Sequence, residues 1–199
     1  ITMGILSIGL ALIIMGVFAN WTSAILTGVA ALYYVFLYTL MMKRKSWNNI
    51  VIGGAAGAFP PLIGSAAVIG HIELQGLYMF AVVFFWTPPH FWALSLLLKD
   101  DYAEAKIPML SVVAGEKNTG IQINLYIVLM ILLTWLPLIG GYAGQIYCIA
   151  ISVLGLEWLR RSIPLIRTTT RETILRSYKF SIIYLYLTFL VLAIDESLL

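Results

Sequence analysis

Seven apolar runs divide this chain, and each is close to the length that crosses a lipid bilayer as a helix. A membrane-spanning helix needs about 20 consecutive, mainly apolar residues. The runs cover residues 1–18, 23–42, 48–70, 75–98, 119–141, 143–159 and 177–194. Because 61% of the residues are apolar and 11% are charged, a water-soluble fold would leave a largely apolar surface. The sequence therefore predicts an all-α, polytopic transmembrane helix bundle in a single domain, residues 1–199.

Lys and Arg gather after every second run, and the turns after runs one, three and five contain neither residue type. The basic residues are Lys43, Arg44, Lys45, Lys99, Lys106, Lys117, Arg160, Arg161, Arg167, Arg171, Arg176 and Lys179. Positive charge accumulates on the cytoplasmic side of membrane proteins, so these loops are predicted to share the cytoplasmic side. The charges follow no groove of interleaved aromatic residues. This pattern indicates contact with anionic lipid or an anionic substrate and argues against nucleic acid.

A short acidic cluster follows the fourth run, from Lys99 to Lys106. If the helix continues through it, Asp100 and Glu104 lie one above the other, and their like charges repel. One interpretation is a solvated loop in which Lys99 and Lys106 neutralise the acids. The other is a Mg²⁺ site, because Mg²⁺ prefers carboxylate oxygens and completes its shell with water and phosphate. Three acids on the opposite side are expected to be ordinary solvated ends: Glu73, Asp195 and Glu196.

The fourth run contains two adjacent prolines, Pro88 and Pro89, which remove two amide donors and are expected to kink or interrupt the helix. His90 follows them among aromatic residues, and an ionisable side chain within a membrane is a functional candidate. On a continuous helix, eleven residues at about 100° each place His90 and Asp101 on one face. The alternative is a histidine that is merely hydrogen-bonded to a neighbouring helix.

The third run carries small residues from Gly53 to Ala58, followed by the pair Pro60 and Pro61, which is expected to interrupt this helix. Small residues at this spacing allow helices to approach closely. A thin helix beside an aromatic one also leaves a flat slot for a bulky ligand, so both interpretations stay open. Lys43 and Arg44 precede this run, and such a pair either anchors to lipid headgroups or binds phosphate oxygens.

Several separated motifs then resemble one family. They are Tyr38-Thr39 with Lys43-Arg44, Asn49 to Ala58, Pro60-Pro61, Thr87 to Trp92, Asp100-Asp101-Tyr102 and Pro108-Met109-Leu110. In this order they resemble the UbiA-type intramembrane prenyltransferases, and within them the protoheme IX farnesyltransferase (heme O synthase) family. Two positions depart from that pattern: Lys106 stands where a glycine is expected, and Ser65 where a tryptophan is expected.

The resemblance implies a bundle of nine helices with two acidic motifs. The seven runs then correspond to helices three to nine, and the first acidic motif, Asn-xxx-Asp-xxx-Asp, is expected upstream of Ile1. The implied reaction transfers the farnesyl group of farnesyl diphosphate to a vinyl group of heme b, giving heme O. The implied setting is a bacterial plasma membrane or mitochondrial inner membrane, with heme A synthase or oxidase assembly proteins as partners.

The resemblance also implies residue roles. Mg²⁺ is expected at Asp100, Asp101 and Glu104, and the catalytic residues are expected to be Asp100, Asp101 and His90. Substrate binding is expected from Tyr38, Lys43, Arg44, Asn49, Trp86, Trp92, Tyr102 and Lys106. Two alternatives stay open, another UbiA-type aromatic prenyltransferase and a non-catalytic heme-binding assembly subunit. A retinal protein is disfavoured because its Schiff base needs a lysine deep in the last helix, and Lys179 lies near the entrance.

Overall fold

Helices make up most of the structure, a computed structural model that describes residues 2–197. In chain order they are α1 (Thr2–Phe18), α2 (Trp21–Leu32), α3 (Asn49–Ile69), α4 (Leu74–Leu97), α5 (Lys99–Glu104), α6 (Leu110–Val113), α7 (Gly115–Leu133), α8 (Leu136–Gly140), α9 (Gln145–Ser162) and α10 (Arg171–Glu196). A π-helix, Tyr33–Met42, continues α2, and a 3₁₀ helix, Ile163–Ile166, follows α9. The predicted all-helical fold is confirmed.

Five segments are long and apolar enough to cross a membrane, judged by length and composition. They are Trp21–Met42, Asn49–Ile69, Leu74–Leu97, Gly115–Gly140 and Arg171–Glu196. The other two predicted spans also form helices, but α1 has only 17 residues and α9 carries three charged side chains near its end. The described residues therefore form seven long helices, of which five meet the criterion individually.

The central helix of the bundle is α4. It packs against α3 on one side and against α7 and α10 on the other, and α9 completes the bundle beside α7 and α10. The main apolar core lies among α4, α7, α9 and α10, with Trp92, Ile123, Tyr147 and Tyr184 fully or almost fully buried. Because lipid is as apolar as these side chains, close van der Waals packing and hydrogen bonds between the helices hold such a core together. A residue on α4 therefore faces either this core or the space towards α3.

Both proline pairs lie inside continuous helices, so the predicted interruption of α3 is wrong, and of the two outcomes predicted for α4 only a kink stays a prediction. Helix α3 runs through Pro60 and Pro61, and α4 runs through Pro88 and Pro89. Membrane helices accept proline where neighbouring groups satisfy the freed carbonyls or the helix adjusts locally. The helix stops further on instead, at Leu98 (φ −109°, ψ 26°), and α5 starts afresh. His90 and Asp101 therefore do not share the face of one unbroken helix.

Asp195 was expected to be a solvated end, and the structure contradicts this. Its side chain is buried, with 3% of its surface exposed. The carboxylate accepts hydrogen bonds from the backbone N–H of Gly144 and, at 3.2 Å, from that of Tyr147. These donors lie at the first turn of α9, where no partner exists within the helix. The last turn of α10 therefore caps the start of α9.

Candidate functional site

A cavity of about 590 Å³ lies between the π-helical end of α2, helix α3 and helix α4. Its walls are mostly apolar and aromatic. The lining residues are Ala30, Tyr34, Tyr38, Asn49, Ile50, Gly53, Gly54, Ala56, Gly57, Val83, Trp86, Thr87 and Phe91. Mainly apolar cavities with a few convergent polar groups are typical small-molecule sites. Three predicted substrate residues, Tyr38, Asn49 and Trp86, meet here.

The glycines of α3 shape this cavity in two ways. A Cβ atom at Gly53 would overlap the ring of Tyr38, and one at Gly54 would lie 2.8 Å from Cγ2 of Thr87. Gly57 also lines the cavity, but a Cβ there would meet nothing within 4 Å. Both interpretations of the small-residue pattern therefore hold: two glycines permit close packing, and a third leaves open space.

Trp86 is held in place on α4 by α10. Its indole Nε1 donates a hydrogen bond of 2.7 Å to the carbonyl of Ser181. Its ring stacks on the imidazole of His90, with 4.2 Å between the ring centroids. The aromatic wall of the cavity is thus fixed by a polar contact and a stacking contact that do not depend on a ligand.

His90 is buried behind this wall, with 8% of its surface exposed. Its ring lies between the rings of Trp86 and Tyr178. Tyr178, a residue of α10, stacks on the imidazole with 4.7 Å between the ring centroids. Nδ1 lies 2.7 Å from the hydroxyl of Ser181, and that hydroxyl donates its proton to the carbonyl of Tyr178 at 2.6 Å. The hydroxyl has one proton, so in the arrangement in which it donates to Tyr178, Nδ1–H of His90 donates to the hydroxyl. A neutral His90 in this tautomer has an unprotonated Nε2.

The cationic loop joins the cavity through Asn49. Lys43 is half-buried and Arg44 is exposed. The Asn49 side chain, 1% exposed, donates from Nδ2 to the carbonyl of Lys43 at 3.2 Å. No ion pair involves Lys43 or Arg44 within residues 2–197. Both charges are therefore available to an anion at this end of the bundle.

The acidic helix α5 lies at the same end, because α3 begins where the antiparallel helix α4 stops. Asp100, Asp101 and Glu104 are exposed, and none forms an ion pair in the described part of the chain. Lys99 pairs instead with Glu116 on α7, at 2.9 Å. Among the described residues, Lys99 and Lys106 therefore form no ion pair with Asp100, Asp101 or Glu104, contrary to the interpretation in which these lysines neutralise the acids.

These carboxylates fit Mg²⁺ by their chemistry. Mg²⁺ is usually bound by one or two carboxylates, with water and substrate phosphate as the remaining ligands. Asp100 and Asp101 supply two exposed carboxylates that form no ion pair with the residues described. Residues 2–197 contain no group of three or more His, Cys, Asp or Glu side chains placed to hold a metal. The role of Glu104 as a third Mg²⁺ ligand therefore stays a prediction, since its carboxylate is not grouped with those of Asp100 and Asp101 in a way that would hold a metal.

Two further predicted residues lie on or after α5. Tyr102 is half-buried, and its phenol is near enough to that of Tyr38 to interact with it electrostatically. Lys106 has φ of 54°, the left-handed region, and it is the one non-glycine residue with positive φ in the described chain. Glycine occupies this region without a steric penalty. The backbone conformation therefore gives a physical reason for the glycine expected at this position.

Trp92 lies outside the cavity. It is 1% exposed in the main core and meets Tyr126 of α7 edge-on, with 5.1 Å between the ring centroids. Its predicted contact with substrate stays a prediction. The sequence predicted no role for four residues that line the cavity or contact His90. Tyr34 and Thr87 line the cavity, and Tyr178 and Ser181 contact His90. Tyr34 was open to inference, because it lies one helical turn before Tyr38.

The described helices define a polytopic integral membrane protein with a cavity between α2, α3 and α4. The loop with Lys43 and Arg44 and the acidic helix α5 lie at the end of the bundle where α3 begins. The sequence matches the family model described as UbiA prenyltransferase family over residues 1–189. The chain therefore belongs to the UbiA prenyltransferase family. No solved structure matches it.

Similar proteins carry one name. A "Protoheme IX farnesyltransferase" of Thermus thermophilus is 48% identical over 179 residues, which cover 90% of this chain and 29% of that protein. Proteins of the same name are 45% identical in a Roseiflexus species, covering 96% and 37%, and 41% identical in Rhodopseudomonas palustris, covering 98% and 64%. The chain thus spans 29% to 64% of the length of these curated relatives.

Proposed function

We propose that this chain belongs to an enzyme that transfers the farnesyl group of farnesyl diphosphate to a vinyl group of heme b, giving heme O. The support for the proposal is that the loop with Lys43 and Arg44 and the acidic helix α5 lie at the end of the bundle where α3 begins, and that Asn49, the first residue of α3, lines the aromatic cavity. An isoprenoid diphosphate has the matching shape, with a charged head and an apolar chain. The names of the relatives support the choice of farnesyl donor and heme acceptor.

The diphosphate is held at the end of the bundle where α3 begins. Lys43 and Arg44 bind its oxygens, and Tyr102 and Lys106 are proposed as further contacts. Asp100 and Asp101 hold Mg²⁺, with Glu104 as a proposed additional ligand. When bound, Mg²⁺ neutralises the negative charge that builds on the leaving group. The two cations contribute in the same sense, since fixed charges aimed at developing charge lower the barrier.

The allylic carbon becomes cationic as the diphosphate leaves. The ring faces of Tyr38 and Trp86 line the cavity, and an aromatic face stabilises a cation by about 0.5–2 kcal/mol. The vinyl group of heme b supplies the electron pair for the new C–C bond, and water completes the addition. His90 orients the heme through Nε2, in the tautomer whose Nδ1–H donates to the hydroxyl of Ser181.

The proposed setting is a bacterial plasma membrane or mitochondrial inner membrane, with the acidic helix on the cytoplasmic or matrix side. Heme A synthase and oxidase assembly proteins are the proposed partners. The relatives extend well beyond the matched segment. We therefore expect residues 1–199 alone to lack activity, and assay of the purified segment with both substrates tests this.

The central test is Mg²⁺-dependent binding of farnesyl diphosphate to the protein expressed from its natural gene. Binding is measured in detergent with and without EDTA, for the parent and for Asp101→Asn. The proposal requires that EDTA abolishes binding and that Asp101→Asn weakens it by about tenfold, the loss of one charged contact. Glu196→Gln, exposed at the last turn of α10, is the matched control and should bind like the parent. Metal-independent binding, or heme binding without any farnesyl transfer, would favour a non-catalytic heme-binding subunit.

A further inference from the structure

The side-chain oxygen of Asn49 is a buried acceptor without a partner. Asn49 is 1% exposed and lines the cavity. Its Nδ2 is used by the carbonyl of Lys43, which fixes the orientation of the amide. Oδ1 has no hydrogen-bond partner among the described residues. Leaving a buried acceptor unpaired costs about 1–3 kcal/mol. A ligand that brings a donor to this oxygen therefore binds with an advantage.

No protein donor lies within hydrogen-bond distance of Oδ1 among the described residues. Two donors of the cavity wall are bonded elsewhere. Thr87 donates its hydroxyl proton to the carbonyl of Val83 at 2.7 Å, and Trp86 donates its indole N–H to the carbonyl of Ser181. A donor for Asn49 Oδ1 is therefore sought outside the described residues. The next steps rest on the proposed function, because they ask which of its reactants carries an O–H or N–H group.

Only water among those reactants meets this requirement. The diphosphate group offers acceptor oxygens, and the farnesyl chain is a hydrocarbon. The reacting edge of heme b is a vinyl group, also a hydrocarbon. Water has two O–H donors, and the proposed product contains its oxygen.

The position of Asn49 suits this role. It is the first residue of α3, and it contacts the backbone of Lys43, where the diphosphate head is proposed to bind. The allylic carbon is directly bonded to that head. A water on Oδ1 therefore lies at the end of the cavity where the new C–C bond forms.

We propose that Asn49 Oδ1 binds the water that supplies the hydroxyl group of the product. The C–O bond to diphosphate breaks, and its electron pair leaves with the diphosphate. The vinyl π pair forms the C–C bond, which leaves a cation on the vinyl carbon attached to the porphyrin ring. The oxygen of the bound water donates a lone pair to that carbon, and its proton passes to an oxygen of the released diphosphate. Without positioned water, the cation loses an adjacent proton to diphosphate and becomes an alkene.

The experiment compares Asn49→Leu and Asn49→Asp with the parent protein, expressed from its natural gene and supplied with heme b, farnesyl diphosphate and Mg²⁺. Products are separated and weighed by mass spectrometry, since the alcohol and the alkene differ by one water. Both variants lose the bond to Lys43, so turnover falls in both. Asp keeps an acceptor oxygen and Leu does not. Asn48→Leu is the matched control, because Asn48 precedes the cavity residue and does not line the cavity.

The expected result is a ratio of alkene to alcohol that rises about fivefold or more in Asn49→Leu, the effect of one net hydrogen bond. In Asn49→Asp and Asn48→Leu the ratio stays at the parent value. An unchanged ratio in Asn49→Leu would overturn the inference and leave the proposed function intact. Alkene from both Asn49 variants would also overturn it, since the shared loss at Lys43 would then be the cause. Absence of any farnesylated heme from the parent would overturn the proposed function and this inference with it.

Discussion

Lys99 Nζ lies 2.9 Å from Glu116 Oε1, although Asp100 and Asp101 follow it directly in the chain. Glu116 also accepts a hydrogen bond from the hydroxyl of Thr169, in the loop before α10. One carboxylate on α7 therefore joins the start of α5 to the loop before α10. It also draws the nearest cation away from the two aspartates that are proposed to bind Mg²⁺.

Glu116→Gln should raise the Mg²⁺ concentration needed for half-maximal activity by about two- to fivefold. A released Lys99 competes for the aspartates, and half-exposed ion pairs are worth no more than about 1 kcal/mol. Adding Lys99→Met to Glu116→Gln should restore the parent value, which a purely structural defect would not do. Mn²⁺ binding followed by electron paramagnetic resonance gives a second readout. Glu172→Gln, which breaks the exposed pair with Arg176 on α10, is the control. Failure of the Lys99 substitution to rescue would contradict this explanation.

Gly53→Ala should destabilise the protein by about 1–3 kcal/mol, the usual cost of overpacking. The added methyl group overlaps the ring of Tyr38, so α2 and α3 must separate or the ring must move. Thermal unfolding in detergent measures the effect. Gly64→Ala on the same helix meets nothing within 4 Å and should be neutral or slightly stabilising. Equal melting temperatures for the two variants would show that the contact with Tyr38 has no energetic weight.

Lys106→Gly should stabilise the protein by about 1 kcal/mol, because an L-residue pays roughly that amount for left-handed backbone. Lys106→Ala keeps this conformational cost and should show no such gain. If Lys106 contacts the diphosphate as proposed, both variants should raise the KM for farnesyl diphosphate to a similar extent. Unfolding curves and KM values from the same preparations separate the two effects. A stability gain in the alanine variant would exclude the backbone explanation.

Asp195→Ala should cost about 1–3 kcal/mol of stability, because two buried N–H donors at the start of α9 lose their acceptor. Glu196→Ala, one residue later and exposed, should change stability by no more than about 0.5 kcal/mol. Chemical unfolding in mixed micelles compares the two. A small effect at Asp195 would mean that water replaces the carboxylate at no cost.

His90→Ala should weaken heme binding and lower turnover, since the proposed contact to heme is through Nε2. Ser181→Ala leaves the imidazole present but removes the acceptor for Nδ1–H, while the carbonyl bound by Trp86 remains. We expect a smaller loss, about two- to tenfold in kcat, because one neutral hydrogen bond is removed. The heme absorption spectrum provides a readout that is independent of turnover. Full turnover and unchanged heme affinity in His90→Ala would remove the histidine from the mechanism.

The helices were predictable because each apolar run reports burial in lipid or protein. The run at 48–70 became α3, Asn49–Ile69, and the run at 75–98 became α4, Leu74–Leu97. The last run was placed at 177, but α10 begins at Arg171. Its first turns are polar and carry no hydropathy signal, whereas Thr170 accepts from the N–H of Thr173 and caps the helix.

The site was predictable where its signal is local. The glycines of α3, the cationic pair and the acidic cluster are each contiguous in the sequence. The sequence could not show which of Trp86 and Trp92 lines the cavity. Six residues at about 100° each place the two side chains on different faces of α4, and packing decides which face meets the cavity. The contact between His90 and Ser181 joins residues 91 positions apart, and the pairing of Lys99 with Glu116 depends on where α5 restarts. Such contacts follow from tertiary packing alone.

The cap that Asp195 provides has a consequence for biogenesis. Helix α9 is synthesised well before the last turn of α10, so its first amide groups enter the bilayer region without their acceptor. They acquire it only when residue 195 has left the ribosome and α10 has docked. The start of α9 therefore gains its cap after α9 itself has been made, and nascent chains stopped short of residue 195 should leave it more open to protease.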